Sequence, residues 1–230
     1  GEEEGEAVPV ADGFEAPIFG ARVVGKVTTL ALEGEDGPAS QKLCAVASDR
    51  AGGWYVTTPA SLLHVSAAGR IHTIATCEDC RGIALSPNGS ALFVADYGNH
   101  KILRAEVATG AVSTVAGSGE EGDADGMGDA AQFNGPYGVT ISPDGSALFV
   151  ADSGNNKIRR VEVATGAVTT VAGSGTTGSA DGVGGAAQFS CPIGVALSPD
   201  GSALFVADLS NHKIRRVEVA TGAVTTVAGS

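Results

Sequence analysis

LFVADYGNHKI (92–102), LFVADSGNNKI (148–158) and LFVADLSNHKI (204–214) are three copies of one segment, and successive copies are 56 residues apart. A constant spacing in this range predicts a repeat protein. Residues 137–174 and 193–230 are identical at 32 of 38 positions. Such close copies favour a scaffold of equivalent units over a single catalytic constellation.

Each copy contains four short segments with the character of β-strands. In the copy at 137–173, SPDG separates GVTIS from ALFVAD, and ATGA separates KIRRVEV from VTTVAG. Turns rich in Pro, Gly and Asn between apolar, β-branched segments are typical of antiparallel hairpins. ALFVAD is apolar without alternation, which predicts a strand covered on both faces. The sequence therefore predicts an all-β fold, a β-propeller built of four-stranded antiparallel blades.

The 56-residue period is longer than four strands need, and the excess lies between blades. It consists of GSGEEGDADGMGDAAQFNGP (117–136) and GSGTTGSADGVGGAAQFSCP (173–192). WYVTT at Trp54 precedes LFVAD at Leu92 by only 38 residues, so the junction at 76–80 lacks this loop. We predict an acidic disordered tail followed by a propeller over 17–230, with about four and a half blades: the tail at 1–16, a half blade at 17–33, and blades at about 41–76, 81–117, 137–173 and 193–229.

The pattern P-x-G-V-x-x-S-x-D/N-G-x-x-x-F-V-A-D-x-x-N-x-K-I resembles the NHL repeat, and A-D-G-x-G-x-A-A-Q-F is similar to the joining motif of long-loop NHL proteins. The resemblance implies a six-bladed ring, related to the gluconolactonase-like propellers. Four and a half blades do not fill such a ring. We therefore expect a truncated portion of a longer propeller, or a ring that closes only by association with another chain, with possible self-association.

Composition restricts the partners. The net charge is −12, and residues 81–230 alone carry 9 bases against 14 acids. This balance disfavours nucleic acid, whose binding depends on neutralising phosphates. The absence of 18 consecutive apolar residues predicts no membrane span. The chain begins with Gly and not Met, and its opening lacks signal-peptide features, so the cellular location stays open.

Two motifs could bind metal, and both have a simpler interpretation. Cys77-Glu-Asp-Cys80 has the C-x-x-C spacing of zinc sites but no second pair, which favours a local disulfide or two plain thiols. The carboxylates of Asp123, Asp125 and Asp129 alternate as calcium ligands would. The second copy keeps only the middle one, as Asp181, so the loop is interpreted as a turn. No metal or cofactor is predicted.

Strand parity indicates which residues share a surface. In a four-stranded blade, the turn between the second and third strands emerges on the same face as the connection to the next blade. We name this the loop face, and SPNG, SPDG and ATG form the opposite face. The candidate ligand-binding residues on the loop face are Tyr97, His100, Asp123, Asp125, Asp129, Asn156 and His212.

These features favour a non-enzymatic interaction module whose acidic loop face binds a protein or a small ligand. No catalytic residues are assigned, because repeated histidines lack an orienting partner. Two alternatives stay open: a hydrolase or lyase with a metal in the central channel, and an RNA-binding protein. For the core, we expect Phe93, Phe149 and Phe205 to be buried equivalently, with at most one helical turn, near 129–133.

Overall fold

The structure is a computed structural model and describes residues 42–229. The expected acidic tail at 1–16 and half blade at 17–33 lie outside the described residues. The described chain forms four antiparallel sheets, each with four main strands in chain order, and two of the sheets carry a short fifth strand beside the fourth. We number these sheets blades 1 to 4.

The main strands follow the turn signals of the sequence. Blade 1 contains β1 (Ala45–Ser48), β2 (Trp54–Thr57), β3 (Ser61–Val65) and β4 (Ile71–Thr76). Blade 2 contains β5 (Cys80–Leu85), β6 (Ala91–Asp96), β7 (Lys101–Glu106) and β8 (Val112–Ala116). After the short loop strand β9 (Gly126–Met127), blade 3 contains β10 (Pro136–Ile141), β11 (Ala147–Asp152), β12 (Lys157–Glu162) and β13 (Ala167–Ala172). After β14 (Gly182–Val183), blade 4 contains β15 (Pro192–Leu197), β16 (Ala203–Asp208), β17 (Lys213–Glu218) and β18 (Ala223–Ala228).

Successive blades meet through their first strands. Strand β5 contacts β1 on one side and β10 on the other, and β10 in turn contacts β15. Close approach is possible because Gly82 and Gly138 lack side chains: a Cβ on Gly82 would lie 2.5 Å from the Tyr137 carbonyl oxygen, and one on Gly138 2.3 Å from that of Ile193. First strands gathered side by side are the architecture of a β-propeller, which confirms the predicted fold class.

Polar side chains fix the hairpin between the first and second strands. In blade 3, the Ser142 hydroxyl donates to Asp144 at 2.5 Å and accepts the Ala147 amide at 2.9 Å. Gly145 has a φ of 76°, which a residue with a side chain rarely adopts. These hydrogen bonds hold the SPDG turn of the opposite face in one conformation.

The core lies between blades, and two of the three predicted phenylalanines are part of it. Phe93 and Phe149 are each 2% exposed. Phe93 packs with Leu148 and Val150 of the following blade. The prediction for Phe205 was wrong, since this side chain is 40% exposed. The strand faces the same way in all three copies, but within residues 42–229 no further blade follows to cover the last one.

Other apolar side chains show the same asymmetry between internal and terminal blades. Ile158 is fully buried in blade 3, whereas its equivalent Ile214 in blade 4 is 41% exposed. At the other end of the described chain, Val46 and Trp54 of blade 1 are also exposed. The number of blades in a complete ring, and its closure by another chain, stay predictions.

Helical structure in the described chain is limited to short 3₁₀ turns. One lies at Gly128–Ala130, next to the predicted position. The expectation of at most one helical turn was wrong, because three more 3₁₀ turns occur, at Ser153–Asn155, Gly184–Ala186 and Leu209–Asn211. Residues 42–229 contain no helix with the length and apolarity that crossing a membrane requires.

Candidate functional site

Each long loop on the loop face is joined to the blade that follows it. Strand β9 pairs antiparallel with β13, with Met127 opposite Ala167. Strand β14 pairs in the same way with β18, with Val183 opposite Ala223. The loop therefore adds a fifth strand to the outer edge of the next blade.

A buried arginine fixes the first long loop. The Arg159 side chain is fully buried and donates to the Asp152 carboxylate at 2.7 Å. It also donates to the Gln132 and Ala124 carbonyl oxygens, at 3.0 and 2.9 Å, both of which belong to the loop. Asp125 accepts a further hydrogen bond from the guanidinium at 2.8 Å. We call this arrangement the Arg159 network.

The second long loop has the same network around Arg215. This guanidinium pairs with Asp208 and with Asp181, each at 2.9 Å. A phenyl ring of the loop lies against the guanidinium in both copies, with Phe133 at 5.2 Å from Arg159 and Phe189 at 5.3 Å from Arg215. Stacking on a ring is a favourable environment for a buried guanidinium.

The three predicted aspartates of the first loop have different roles. Asp125 belongs to the Arg159 network and also accepts the Thr170 amide at 3.1 Å. Asp123 pairs with the Lys157 ammonium at 2.7 Å, and this hydrogen bond and charge hold the pKa of Asp123 below its ordinary value. Asp129 is exposed in the 3₁₀ turn. Residues 42–229 contain no group of three or more His, Cys, Asp or Glu side chains placed to hold one metal ion.

His100 and Asn156 connect their blades to the next junction. The His100 Nδ1 accepts the Gly135 amide at 3.0 Å, and the Asn156 side-chain oxygen accepts the Cys191 amide at 2.9 Å. His212 occupies the same left-handed turn position, with a φ of 53°. Within the described residues, no hydrogen bond reaches its ring. The structure thus joins the first two residues to the long loops and leaves His212 at the last blade.

Tyr97 belongs to an aromatic cluster that the sequence did not reveal. Its ring lies edge-on to Tyr137, with centroids 6.1 Å apart. The Arg81 guanidinium lies 5.3 Å from the Tyr97 ring and 5.8 Å from the Tyr137 ring. Arg81 also pairs with Asp79 at 2.5 Å. The C-x-x-C motif beside them is a disulfide between Cys77 and Cys80, one of the two predicted states.

The differences between the two long loops occur mainly on exposed residues. The copies at 117–136 and 173–192 differ at seven positions. Five of these seven are exposed in both copies. The exposed differences are Glu120, Glu121, Asp123, Met127 and Asp129 in the first loop and Thr176, Thr177, Ser179, Val183 and Gly185 in the second. The residues of the Arg networks are the same in both.

The opposite face carries two equivalent clefts between blades. The first, of about 430 Å³, is lined by Phe93, Arg104 and Asp144, among others. The second, of about 360 Å³, is lined by the equivalent Phe149, Arg160 and Asp200. The charged groups in both clefts have partners within the chain: Arg104 pairs with Glu106, Arg160 with Glu162, and the aspartates accept hydrogen bonds from serines.

Comparison with known proteins supports the repeat type. No protein-family model matches this chain. It is 34% identical over 144 residues to NHL repeat-containing protein 2 of Homo sapiens, covering 59% of this chain and 20% of that protein. Protein SUPPRESSOR OF QUENCHING 1, chloroplastic, of Arabidopsis thaliana is 34% identical over 149 residues, covering 61% of this chain and 14% of that protein. The chain thus aligns with only a small part of these relatives.

Solved structures with the same fold include proteins with different functions. An auxiliary nutrient binding protein from Bacteroides thetaiotaomicron superposes with a TM-score of 0.65 at 17% identity, over 81% of this chain and 47% of that one. Virginiamycin B lyase from Staphylococcus aureus superposes with a TM-score of 0.55 at 17% identity, over 82% and 56%. At this identity the likeness concerns the fold alone. Relatives and neighbours together confirm the resemblance drawn from the sequence: the described repeats are similar to those of NHL repeat-containing protein 2, and their fold is a β-propeller.

Proposed function

We propose that the loop face of this propeller is a non-enzymatic interaction surface that binds a protein or a small ligand. The observation that carries the proposal is the contrast within the long loops. Buried Arg networks fix their frame, while five exposed positions differ between two otherwise similar copies. Variable side chains on loops held by a rigid scaffold are characteristic of binding surfaces.

The acidic character of the surface belongs to the first long loop. Five acids and no base occur between 117 and 136, whereas Asp181 is the single acid between 173 and 192. Asp123 and Asp125 are paired with Lys157 and Arg159, which leaves Glu120, Glu121 and Asp129 as the acids that a ligand would meet. The charge favours a ligand with a cationic group. The neighbour named as a nutrient binding protein supports a binding role for such a fold.

The candidate residues divide into contact and support groups under this proposal. Asp129 contacts the ligand together with Tyr97, which is 37% exposed, and Asp123 supports the loop through its ion pair with Lys157. Asp125, His100 and Asn156 hold the loops in place through the hydrogen bonds described above. His212 stays a candidate at the last blade.

The test replaces the exposed positions of the first loop with those of the second. The variant E120T/E121T/D123S/M127V/D129G carries side chains that the same frame already holds at 173–192. Its matched control, E106Q/D144N/E162Q/E218Q, also removes four acids, three at the ends of strands that lead to the opposite face and one in the SPDG turn of that face. Titration calorimetry with a hexalysine peptide then compares both variants with the unmodified chain.

We expect the loop variant to bind the peptide at least about tenfold more weakly and the control to bind like the unmodified chain, because the cationic ligand contacts the first loop. An equal loss of peptide affinity in both variants would show that the peptide responds to net charge in general, and it would contradict the proposal. Salt-sensitive binding of a single-stranded RNA oligonucleotide instead of the peptide would favour the RNA alternative.

A further inference from the structure

The last blade contains an apolar cleft whose equivalents in blades 2 and 3 are filled by the long loops. The cleft has a volume of about 250 Å³ and is lined by Ala207, Asp208, Leu209, His212, Lys213, Ile214, Ala228 and Gly229. We call it the last-blade cleft. Its residues lie in β16, β17 and β18, which the sequence repeats almost unchanged from blade 3, in the turn between β16 and β17, and directly after β18.

In blade 2 the equivalent position is filled by Phe133. Ile102, Ala116, Ala131 and Phe133 form one fully buried cluster. A Cβ on Gly117 would lie 3.2 Å from the Phe133 ring, so this glycine gives the phenyl group its space. Blade 3 repeats the arrangement, with Phe189 fully buried among Ile158, Ala172 and Ala187.

A hydrogen bond completes the contact two residues after each phenylalanine. The amide of Gly135 donates to His100, and the amide of Cys191 donates to Asn156. Both donors have left-handed backbone, with φ of 56° and 53°. Each internal blade therefore binds the same pattern: a buried Phe, one intervening residue, and a backbone N–H in a left-handed residue.

The last blade has the complementary groups for this pattern. Ile214 and Ala228 stand where Ile102 and Ala116 bind Phe133, and Gly229 stands where Gly117 gives it space. His212 has the same φ as His100 to within a few degrees. Ile214 is 41% exposed, whereas Ile102 and Ile158 are fully buried.

We propose that the last-blade cleft is a docking site for a partner segment of the Ala-Ala-Gln-Phe-x-Gly type. The phenyl ring enters between Ile214 and Ala228, and the amide two residues later donates to the His212 ring. This site lies on the last blade, apart from the exposed positions of the first long loop. It does not depend on the function proposed for that loop.

The experiment adds such a segment in trans to the 230-residue chain. The probe is a synthetic copy of residues 173–192 in which Cys191 is replaced by Gly, as in the first loop. Two matched peptides differ by one residue each: F189A removes the ring, and N-methylglycine at position 191 removes the donating N–H while the left-handed backbone of glycine stays accessible. Binding is followed by amide chemical shifts of the isotopically labelled chain.

We expect saturable shifts at Ala207, Ile214 and Ala228 with the unmodified probe. The F189A peptide should bind at least about tenfold more weakly, because the ring provides most of the buried apolar surface. The peptide with N-methylglycine at 191 should bind several-fold more weakly, since His212 loses its donor. In the chain, Ile214→Ser should reproduce the loss seen with F189A, and Val46→Ser, at an exposed position of blade 1, should leave binding unchanged.

Three outcomes would overturn the proposal. The first is no saturable shift up to millimolar peptide, which would mean that the cleft does not accept the segment or that residues 1–41 or a second copy fill it. The second is equal binding of the probe and the F189A peptide. The third is a set of shifts away from β16, β17 and β18. Sedimentation of the chain with and without the probe identifies a second copy, since that complex would persist at saturating peptide.

Discussion

The junctions before blades 2 and 3 connect equivalent strands by different means. Before blade 3, a long loop is held by the Arg159 network. Before blade 2, the connection between β4 and β5 is three residues long, and a disulfide joins its first residue, Cys77, to Cys80 at the start of β5. At the position of Arg159, blade 2 has Leu103. The long loop and the buried arginine occur together, and where one is absent so is the other.

This difference shows that a buried arginine can depend on an inserted loop for its hydrogen-bond acceptors. Asp96, Asp152 and Asp208 end the second strand in blades 2, 3 and 4, and all three are buried. All three carboxylates accept the side-chain amide of the Asn three residues later, at 2.8 to 3.1 Å. Asp152 and Asp208 also pair with arginines, and Asp96 does not. A buried arginine requires several acceptors, and the loop provides them through two carbonyl oxygens and a carboxylate. Blade 2 lacks the loop, and an apolar leucine fits that environment.

The largest effect is expected from Arg159→Leu, which gives blade 3 the residue of blade 2. The change removes four hydrogen bonds and leaves Asp152 buried beside a loop that has lost its anchor. We expect a loss of about 3–5 kcal/mol in the free energy of unfolding, measured with urea. The control Arg160→Leu breaks a partly exposed pair with Glu162 and should cost less than about 1 kcal/mol. Similar costs for the two variants would mean that the buried network contributes no more than a surface pair.

A pair of phenylalanine variants extends the comparison to the last blade. Phe149→Ala should cost about 3–5 kcal/mol, because the ring is 2% exposed and packed against the following blade. Phe205→Ala should cost about 1 kcal/mol or less, since the equivalent ring is 40% exposed. Urea denaturation of both variants measures the difference. A large cost at Phe205 would show that the last blade is covered in solution.

Reduction of the disulfide is expected to have a smaller effect than loss of the Arg159 network. Cys77 and Cys80 are three residues apart, so the bond constrains a short loop of the unfolded chain. The chain-entropy estimate for such a loop is about 2 kcal/mol. The double variant C77S/C80S, compared with the oxidised chain in urea, provides the measurement. If C77S/C80S lost more free energy of unfolding than Arg159→Leu, the disulfide would stabilise its junction more than the Arg159 network does, contrary to this prediction.

The smallest effect concerns pH and the turns of the opposite face. Hydrogen bonds from Ser142 and Ser146 lower the pKa of Asp144 from 3.8 to about 2. The folded state therefore favours the ionised form, and this stabilisation is present above about pH 4 and is lost as the pH falls toward 2. Blade 2 has Asn88 at this position, accepting the same hydrogen bonds from serines. We expect Asp144→Asn to keep the hairpin and to reduce the loss of stability between pH 4 and 2, and an unchanged pH profile would refute this role.

Much of the fold follows from the sequence because the repeat makes every turn visible more than once. The position of His100 beside the long loop was also predictable, since strand parity alone assigns the face. The exposure of Phe205 was not predictable, because it depends on a neighbouring blade and not on the strand itself. The local sequence around this residue is nearly identical to that around Phe149.

The role of Arg159 was missed, although the sequence contains a signal for it. Arg159 and Arg215 follow long loops and Leu103 does not, which three copies in one chain suffice to reveal. The interpretation of Asp125 and Gly126 as a turn was wrong, since Gly126 lies in strand β9 and Asp125 accepts the amide of Thr170, 45 residues away. Its partner Arg159 is 34 residues away, and no local pattern indicates so distant a contact.

The two aspartates at the ends of β6 and β11 test the account most directly. Burial raises the pKa of Asp96, against the opposing hydrogen bonds from Asn99, so its charge is a cost that Asp96→Asn removes. Burial raises the pKa of Asp152 too, but removing this charge would leave Arg159, a fully buried cation, with only the half-exposed Asp125 as a counter-charge.

The measurement is the free energy of unfolding of Asp152→Asn and Asp96→Asn in urea at pH 7. The account predicts a loss of about 3–5 kcal/mol for Asp152→Asn. For Asp96→Asn it predicts a change within about 1 kcal/mol of zero or a small gain. Equal losses at the two positions, or a larger loss at Asp96, would contradict the claim that the buried arginine and the long loop form one structural unit.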